Sequence, residues 1–458
     1  MGRGGSFTAT ASGYNSFFYN PAGFARGGEL TLASVNLWGF ADRELISLAQ
    51  EIAEGDISTS RSLSDGDGSR AFDPEDYEDL AEDLGGLQEW IENEDPAVIE
   101  SIVQDAAEDT GITYESGDDI ADIIASAGPE DIVGFLEALD EEAQAQSASY
   151  PAGVIHNIIS EIESALPGGY LRLGAQVGLG YVGNGIGLGL FANAEATLDG
   201  SNLLEARGTA YNTITFVGGL GLTFGSLNVG VAVRPTIYGH TRVDAAPLLI
   251  SYMTAGAPDP ATLFRNTVYY GSGLGVDVGA LWELGPFNVG LAVRDLLGTA
   301  IDYRTSDLET YYEALLAASL PTGRPLNADE ASQARPIPMK VNAGVEFHPD
   351  LGVLSYIVDP SISVDLLDMT SAIRTWQAGD QVSADQVLSM LNIGGEVKLL
   401  RFLSLRGGYY GGYLSGGVGL DLFFIDLNAA IAGDFRRDDS GRWGFDNIGG
   451  SLELAIRF

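Results

Sequence analysis

The sequence predicts an all-β chain, a 14-stranded antiparallel transmembrane β-barrel with an N-terminal hatch inside its lumen and an acidic α-helical insertion in the first extracellular loop. Three observations predict it. From Gly168 onward apolar residues alternate with Gly, Asn, Gln, Thr and Arg, the period-two pattern of a wall with one apolar and one polar face. The connections alternate in length, short on one rim and long on the other, a parity that a soluble sandwich has no reason to obey. Residues 2–25 carry neither a helical nor a strand period, so they cannot bury themselves and need a wall around them.

Composition narrows the classes. A length of 458 residues fits one large barrel, and 61 glycines are nearly twice the usual share. Cys is absent, so disulfides and thiolate metal sites are excluded. A net charge of −41 excludes nucleic acid as a partner, because one polyanion repels another. No run of 18 apolar residues occurs, which excludes a transmembrane helix. Gly2 is expected to open an already processed chain, with Met1 a start residue placed before it.

The expected domains are a hatch or plug over 1–27, a first barrel strand over 28–42, an acidic helical extracellular insertion over 43–166 and the remaining strands over 167–458. In the first, Gly2, Gly4 and Gly5 free the backbone, while Phe7, Tyr14, Phe17, Phe18 and Tyr19 crowd rings together. It closes on Asn20-Pro21-Ala22-Gly23, where Pro21 fixes its own φ and holds Asn20 extended. In the first strand, Leu30, Leu32 and Trp38 are expected on one face and Val35 and Leu37 on the other.

The insertion changes both charge and period. Residues 51–165 hold 32 of the 64 acidic residues and only two basic ones, Arg61 and Arg70. Tyr77, Leu80, Leu84, Leu87 and Ile91 recur at helical spacing behind an Asp73-Pro74 start. Further helices are expected over 97–107, 118–126, 129–138 and 153–165. Their apolar stripes read as a small self-contained core, and the acids as its solvated face.

Strands are then expected near 168–182, 185–198, 209–224, 227–240, 265–283, 286–296, 337–348, 357–367, 391–401, 403–411, 415–424, 426–434 and 446–458. With the first they make fourteen, an even number. Within them Leu227-Asn228-Val229-Gly230-Val231-Ala232-Val233-Arg234 repeats as Phe287-Asn288-Val289-Gly290-Leu291-Ala292-Val293-Arg294. Short turns fall at Gly183-Asn184, Gly225-Ser226, Gly285-Pro286, Leu400-Arg401-Phe402 and Ile425. The last strand places Leu452, Leu454, Ile456 and Phe458 toward lipid, and its closure onto the first removes both sheet edges.

With these residues placed, the N-terminus resembles the long-chain fatty-acid transporter (FadL-like) family of outer-membrane barrels. The resemblance is carried by Arg3-Gly4-Gly5-Ser6-Phe7 and by Phe18-Tyr19-Asn20-Pro21-Ala22-Gly23. Residues Leu405 to Tyr410 and Gly416 to Leu420 look like the related PorV-type and conjugation-associated barrels. The resemblance covers the plug and the strand pattern, not 43–165, which is far longer than the first outer loop of that family. It implies a lumen blocked by a hatch that shifts to release hydrophobic ligands, often through a lateral gap in the wall. Gly4, Gly5, Phe7, Phe17, Phe18, Asn20, Pro21 and Gly23 are the ligand/hatch candidates, carried over as the hatch alone, because the ligand-contacting loop residues of that family have no recognisable counterpart here.

Residue chemistry adds no catalytic site. His156, His240 and His348 lack metal-ligand spacing and sit in no nucleophile motif, and the acidic runs lack EF-hand spacing. Glycine runs such as Gly183-Asn184-Gly185-Ile186-Gly187 alternate inside strands, with no helix N-terminus to hold a phosphate. No cofactor is expected. The expected function is passive uptake of hydrophobic small molecules such as long-chain fatty acids across the outer membrane of a diderm bacterium. The alternative is an anchor that presents the acidic helices of 43–166 to a surface or secretion partner. Membrane lipid is the surrounding partner in both, with the barrel-assembly machinery engaged through the strand ending in Phe458.

Overall fold

In this computed structural model, residues 2–43, 93–112, 129–165, 167–202, 206–244, 267–317, 336–379, 381–437 and 443–458 are described throughout, with scattered positions at 46, between 83 and 91 and between 319 and 334. Where the period is two, the chain is strand. β1 (Glu29–Asp42), β2 (Pro167–Gly183), β3 (Ile186–Asn202), β4 (Arg207–Phe224), β5 (Leu227–Asp244) and β6 (Thr267–Leu284) follow one another antiparallel. β7 (Phe287–Arg294), β10 (Lys340–Phe347), β11 (Val358–Leu366), β12 (Leu391–Leu399), β13 (Leu403–Tyr410), β14 (Tyr413–Leu422), β15 (Ile425–Arg437) and β16 (Trp443–Arg457) complete the ring. β16 returns to β1 from Thr31↔Arg457 to Asp42↔Asn447, so among the described residues the fourteen strands close into a ring.

Two further pieces stand outside that count. β7 ends at Arg294, where Asp295 (φ 49°), Leu297 (φ 65°) and Gly298 (φ 80°) turn the chain. β8 (Ile301–Asp307) then resumes along the upper part of β6, and the two-residue β9 (Arg324–Pro325) pairs with β8. The ring therefore has two heights. β2 to β6 have 17 or 18 residues each, whereas β7 and β10 to β14 have 8 to 10. At about 3.3 Å per residue and a tilt near 40°, that is roughly 45 Å against roughly 20–25 Å.

The outer surface follows the same division. Val177, Leu179, Phe216, Leu220, Val345, Ile362, Leu405 and Val418 are exposed on the outside, in a band next to the short turns. Above that band the outward positions of the tall wall turn small or polar, with Ala194, Ala196, Ala210, Asn212 and Ser272. There α4 (Leu308–Leu316) covers the wall, and its Tyr311 hydroxyl donates to Asn212 Oδ1 at 2.7 Å.

The first strand corrects the expected faces. A bulge between Thr31 and Ala33 adds one residue, so Val35 and Leu37 emerge on the same outer face as Leu30 and Leu32. Trp38 swings to the lumen, where a Cβ on Gly174 would meet its ring at 2.2 Å. A simple period-two count cannot see a bulge. The turn between β14 and β15 is also displaced from Ile425 to Phe423-Phe424, because two phenylalanines extend the apolar run and hide the turn.

Between β1 and β2, α1 (Pro96–Thr110), α2 (Pro129–Gln146) and α3 (Val154–Ala165) pack on a core that includes Trp90, Ile102, Phe135, Leu139, Ile155 and Ile158. Asp95 caps α1 by accepting from Ala97 N at 3.0 Å, Pro96 takes the first helical position, and Gly111 (φ 72°) ends it. α2 runs past the expected end at Ala138 because no breaker intervenes before Pro151. The expected helix over 118–126 and the Asp73-Pro74 start lie outside the described residues. α4, α5 (Thr370–Gln377) and α6 (Ala384–Met390) span only 7 to 9 residues, too short for a periodic signal to stand out from loop sequence.

Candidate functional site

Residues 2–26 lie against the inner wall of the ring, and their seat is built from missing Cβ atoms. A Cβ on Gly230 would stand 2.2 Å from Pro21 O, one on Gly290 2.3 Å from Thr8 O and one on Gly394 2.3 Å from Arg3 O. The segment answers in kind. Gly4, at φ 59°, brings its backbone to 2.6 Å from Ile393 O, measured from where its own Cβ would be. At Gly23 a Cβ would meet Ser16 Oγ at 2.3 Å and Ala11 O at 2.6 Å. Backbone thus lies directly on backbone, which explains why lumen-facing glycines recur in strand after strand.

Rings fill the space between these contacts. Two 3-10 turns, Gly13–Phe17 and Pro21–Ala25, gather Tyr14, Phe17 and Phe24 against Val182, Phe191, Val217 and Ala232 of the wall. Phe18 meets Phe191 at 4.7 Å and Phe17 meets Phe24 at 5.2 Å between ring centroids. Phe7 pairs with Tyr19 at 4.8 Å under the guanidinium of Arg3. Such tilted and edge-on pairs add to area burial. Burial also raises the Tyr14 phenol above its ordinary range.

Asn20 is the polar pivot and is fully buried. Its Oδ1 accepts from Ala22 N at 3.1 Å, capping the second 3-10 turn. Its Nδ2 donates to Thr8 O at 3.0 Å, to Ala280 O of β6 at 3.1 Å and to Leu291 O of β7 at 3.3 Å. Around it, Arg3 pairs with Glu346 at 3.1 Å, Thr8 N donates to Asp365 at 2.7 Å and Arg26 pairs with Glu283 at 2.9 Å. Arg457 gathers Asp426 at 2.7 Å and Glu453 at 2.5 Å, and lies over the Tyr14 ring.

A charged cluster latches the segment at the break in β7. The two copies of the internal repeat end in Arg234 and Arg294, and both arginines turn inward onto Asp277, at 2.7 and 3.4 Å. Arg234 also reaches Asp295 at 2.8 Å, whose side chain accepts from Thr299 Oγ1 at 2.7 Å. Arg294 in turn donates to the Phe18 carbonyl of the segment. This cluster ties the loop that interrupts the wall to the N-terminal segment.

Beside the segment is a cavity of about 770 Å³. Phe7, Tyr14, Phe18 and Tyr19 give it an aromatic side, and Glu346, Glu396, Arg406, Glu453 and Arg457 a charged one. Two of the expected residues, Phe7 and Phe18, line it. Gly4, Gly5, Phe17, Asn20, Pro21 and Gly23 instead seat the segment. Sequence reasoning passed over Arg3, Thr8, Arg26 and the Arg234–Asp277–Arg294 cluster. The repeat itself was the available signal, since the same inward arginine ends both copies.

The family model described as "F plasmid transfer operon, TraF, protein" matches residues 67–317, more than half of the chain. The chain belongs to that family. No curated protein matches the sequence. Solved structures similar to this TraF-family chain include the P. putida toluene transporter TodX, at 10% identity and TM-score 0.42, covering 100% of this chain and 99% of that one. A Pseudomonas aeruginosa FadL homologue is similar at 11% identity and TM-score 0.39, covering 100% and 96%. A TodX monoaromatic hydrocarbon channel deltaS2 mutant is similar at 10% and 0.45, covering 100% and 97%. The barrel of the TraF-family chain rests on its own strand pairing, from β1 round to β16.

Proposed function

We propose that this TraF-family chain is an outer-membrane barrel of a diderm bacterium through which hydrophobic small molecules pass, with residues 2–26 as the hatch. The outward apolar band beside the short turns, and the 8 to 10 residues of the low strands, suit the roughly 25 Å apolar belt of such barrels. The observation that carries the reading is how the lumen is filled. The segment is held by hydrogen bonds, ion pairs and ring contacts that can open and re-form, and it turns four aromatic rings toward a cavity edged with arginines. An amphipathic ligand such as a long-chain fatty acid would lay its tail on Phe7, Phe18 and Tyr19, its carboxylate displacing Glu396 from Arg406 or Glu453 from Arg457.

Vesicles loaded with the protein test this. Labelled fatty acid should cross them while ion conductance stays low, and Asn20→Asp should raise conductance by turning a carboxylate toward three carbonyl oxygens. An unmodified chain that conducts ions as an open pore, and holds no lipid-like ligand on purification, would sink the proposal.

A second reading has its own support. The helices between β1 and β2 own a core separate from the barrel, and the family description names a plasmid transfer operon. An acidic module presented to a surface or secretion partner, on a barrel placed by the assembly machinery through the strand ending in Phe458, accounts for both. Deleting 43–166 separates the readings: the first keeps uptake, and the second loses a partner.

A further inference from the structure

The short-turn rim is built by two opposite turn chemistries. From β2 to β7 its turns are Asn184-Gly185, Gly225-Ser226 and Gly285-Pro286, in which Asn184, Gly185, Gly225 and Gly285 take the positive φ that glycine and asparagine favour. From β10 to β15 the same rim uses large apolar residues. Leu400 (φ 51°) and Arg401 (φ 64°) form one turn and Phe423 (φ 58°) with Phe424 another, in the left-handed region that bulky side chains avoid. Phe423 is 100% exposed, and Val353, in the 3-10 turn Gly352–Tyr356 joining β10 to β11, is 85% exposed.

These turns form one patch. Leu400 N donates to Ile357 O, Asp421 N to Phe402 O and Arg457 N to Phe424 O, so each turn is stitched to the next. Phe424 stacks on Phe458 at 6.1 Å, and the Arg401 guanidinium lies 4.0 Å over the Tyr356 ring. The patch is continuous with the outward apolar band through Leu405, Val418 and Leu454. It also lies under the shortest strands, whose 8 to 10 residues barely reach across an apolar belt without their turns.

We propose that this sector of the rim is submerged in the adjoining lipid leaflet, with Arg401 at the phosphate level, while the Asn184 and Ser226 sector stays in water, so that the barrel stands tilted. Lipid is the occupant because the patch extends a lipid-facing band and carries a cation–π pair suited to a headgroup layer. The inference rests on the membrane-spanning reading, and the test separates the two.

The chain has no Cys, so single-cysteine variants can be spin-labelled one at a time in phosphatidylethanolamine–phosphatidylglycerol vesicles. Phe423→Cys and Leu400→Cys should favour oxygen over a nickel chelate several-fold more than Ser226→Cys, with Leu405→Cys as the mid-wall control. If 405 reports lipid and 423 reports water like 226, the submerged sector is refuted and the spanning reading stands. If 405 also reports water, both fall. The paired variant Phe423→Asn, Phe424→Gly should keep the barrel's strand signal, because it suits the turn better, yet shift a label at 400 toward water. An unchanged label at 400 in a folded variant would also overturn the proposal.

Discussion

The N-terminal segment and the helices between β1 and β2 are both appended to the same wall, and they are held in opposite ways. The helices bury a continuous aliphatic and aromatic core, with Ile102 and Phe135 fully inside. The segment has one ring cluster and otherwise rests on backbone contact, a buried amide and ion pairs. A core of packed hydrocarbon is non-directional and tolerates rearrangement. A seat of glycines and directed polar groups has one geometry. That difference is what the proposed hatch reading requires of the segment.

The sharpest way to break the comparison is to fill the seat. Gly230→Val places three extra carbons where Pro21 O already stands 2.2 Å from the Cβ position. Valine is favoured in a strand, so the wall should survive while the segment is expelled at a cost above about 4 kcal/mol of seating. Limited proteolysis should then remove residues 2–26 and conductance should appear, with the melting of the helices unchanged.

The converse change is Phe135→Ala. It empties a fully buried site and should cost the helical module about 3–5 kcal/mol. Helical circular dichroism should melt earlier, while the segment keeps its protection from protease. Loss of that protection would show that the two parts are coupled.

Asn20→Ala comes next, with about 2–4 kcal/mol expected from a buried amide whose two N–H hydrogens are shared among three carbonyls and whose oxygen accepts a further hydrogen bond. Asn20→Asp should be worse than alanine, since its carboxylate faces Thr8, Ala280 and Leu291 carbonyls where a donor is required. Equal protease sensitivity of the two variants would argue that the amide's donors are not what secures the segment.

How much of this was legible follows from the same contrast. The barrel showed itself because a wall that is apolar outside and polar inside puts apolar residues at every second position, and Leu452, Leu454, Ile456 and Phe458 obey that rule. α1 could be placed to within a few residues because Asp95, Pro96 and Gly111 act locally. The bulge at Thr31–Ala33 was hidden, since one extra residue leaves no compositional mark. The seat was only half legible. Its glycines and Asn20 stand out in the sequence, whereas Arg294 on Phe18 O joins residues 276 positions apart, and such a pairing exists only once the ring has closed.

Acid should distinguish the modules more gently. The Ser147 and Ser149 hydroxyls and the Asp95 N–H hold the Glu94 carboxylate down to about 2, below the 4.5 of the free group. A depressed folded value means that the folded state binds fewer protons than the unfolded one between those two values. The stabilisation is complete above 4.5 and fades as pH falls toward 2. Helical melting should therefore drop across that window, and Glu94→Gln should flatten the drop. An identical profile in the variant would assign the acid sensitivity to other groups.

Salt gives the smallest effect and the cleanest contrast. With 32 acidic and two basic residues over 51–165, the helical module repels itself, and a Debye length of about 10 Å at 0.1 M shortens further as salt is added. Its melting should rise by a few degrees, about 1 kcal/mol or less, with added monovalent salt. The segment's seat should move little or the other way, because Arg234 and Arg3 face their carboxylates inside the wall, where screening hardly reaches. Differential scanning of the whole chain, with the protease sensitivity of residues 2–26 read in parallel, checks both. A module indifferent to ionic strength would mean that its carboxylates are already neutralised by partners, and the contrast between a solvated acidic face and a paired ionic seat would have to be redrawn.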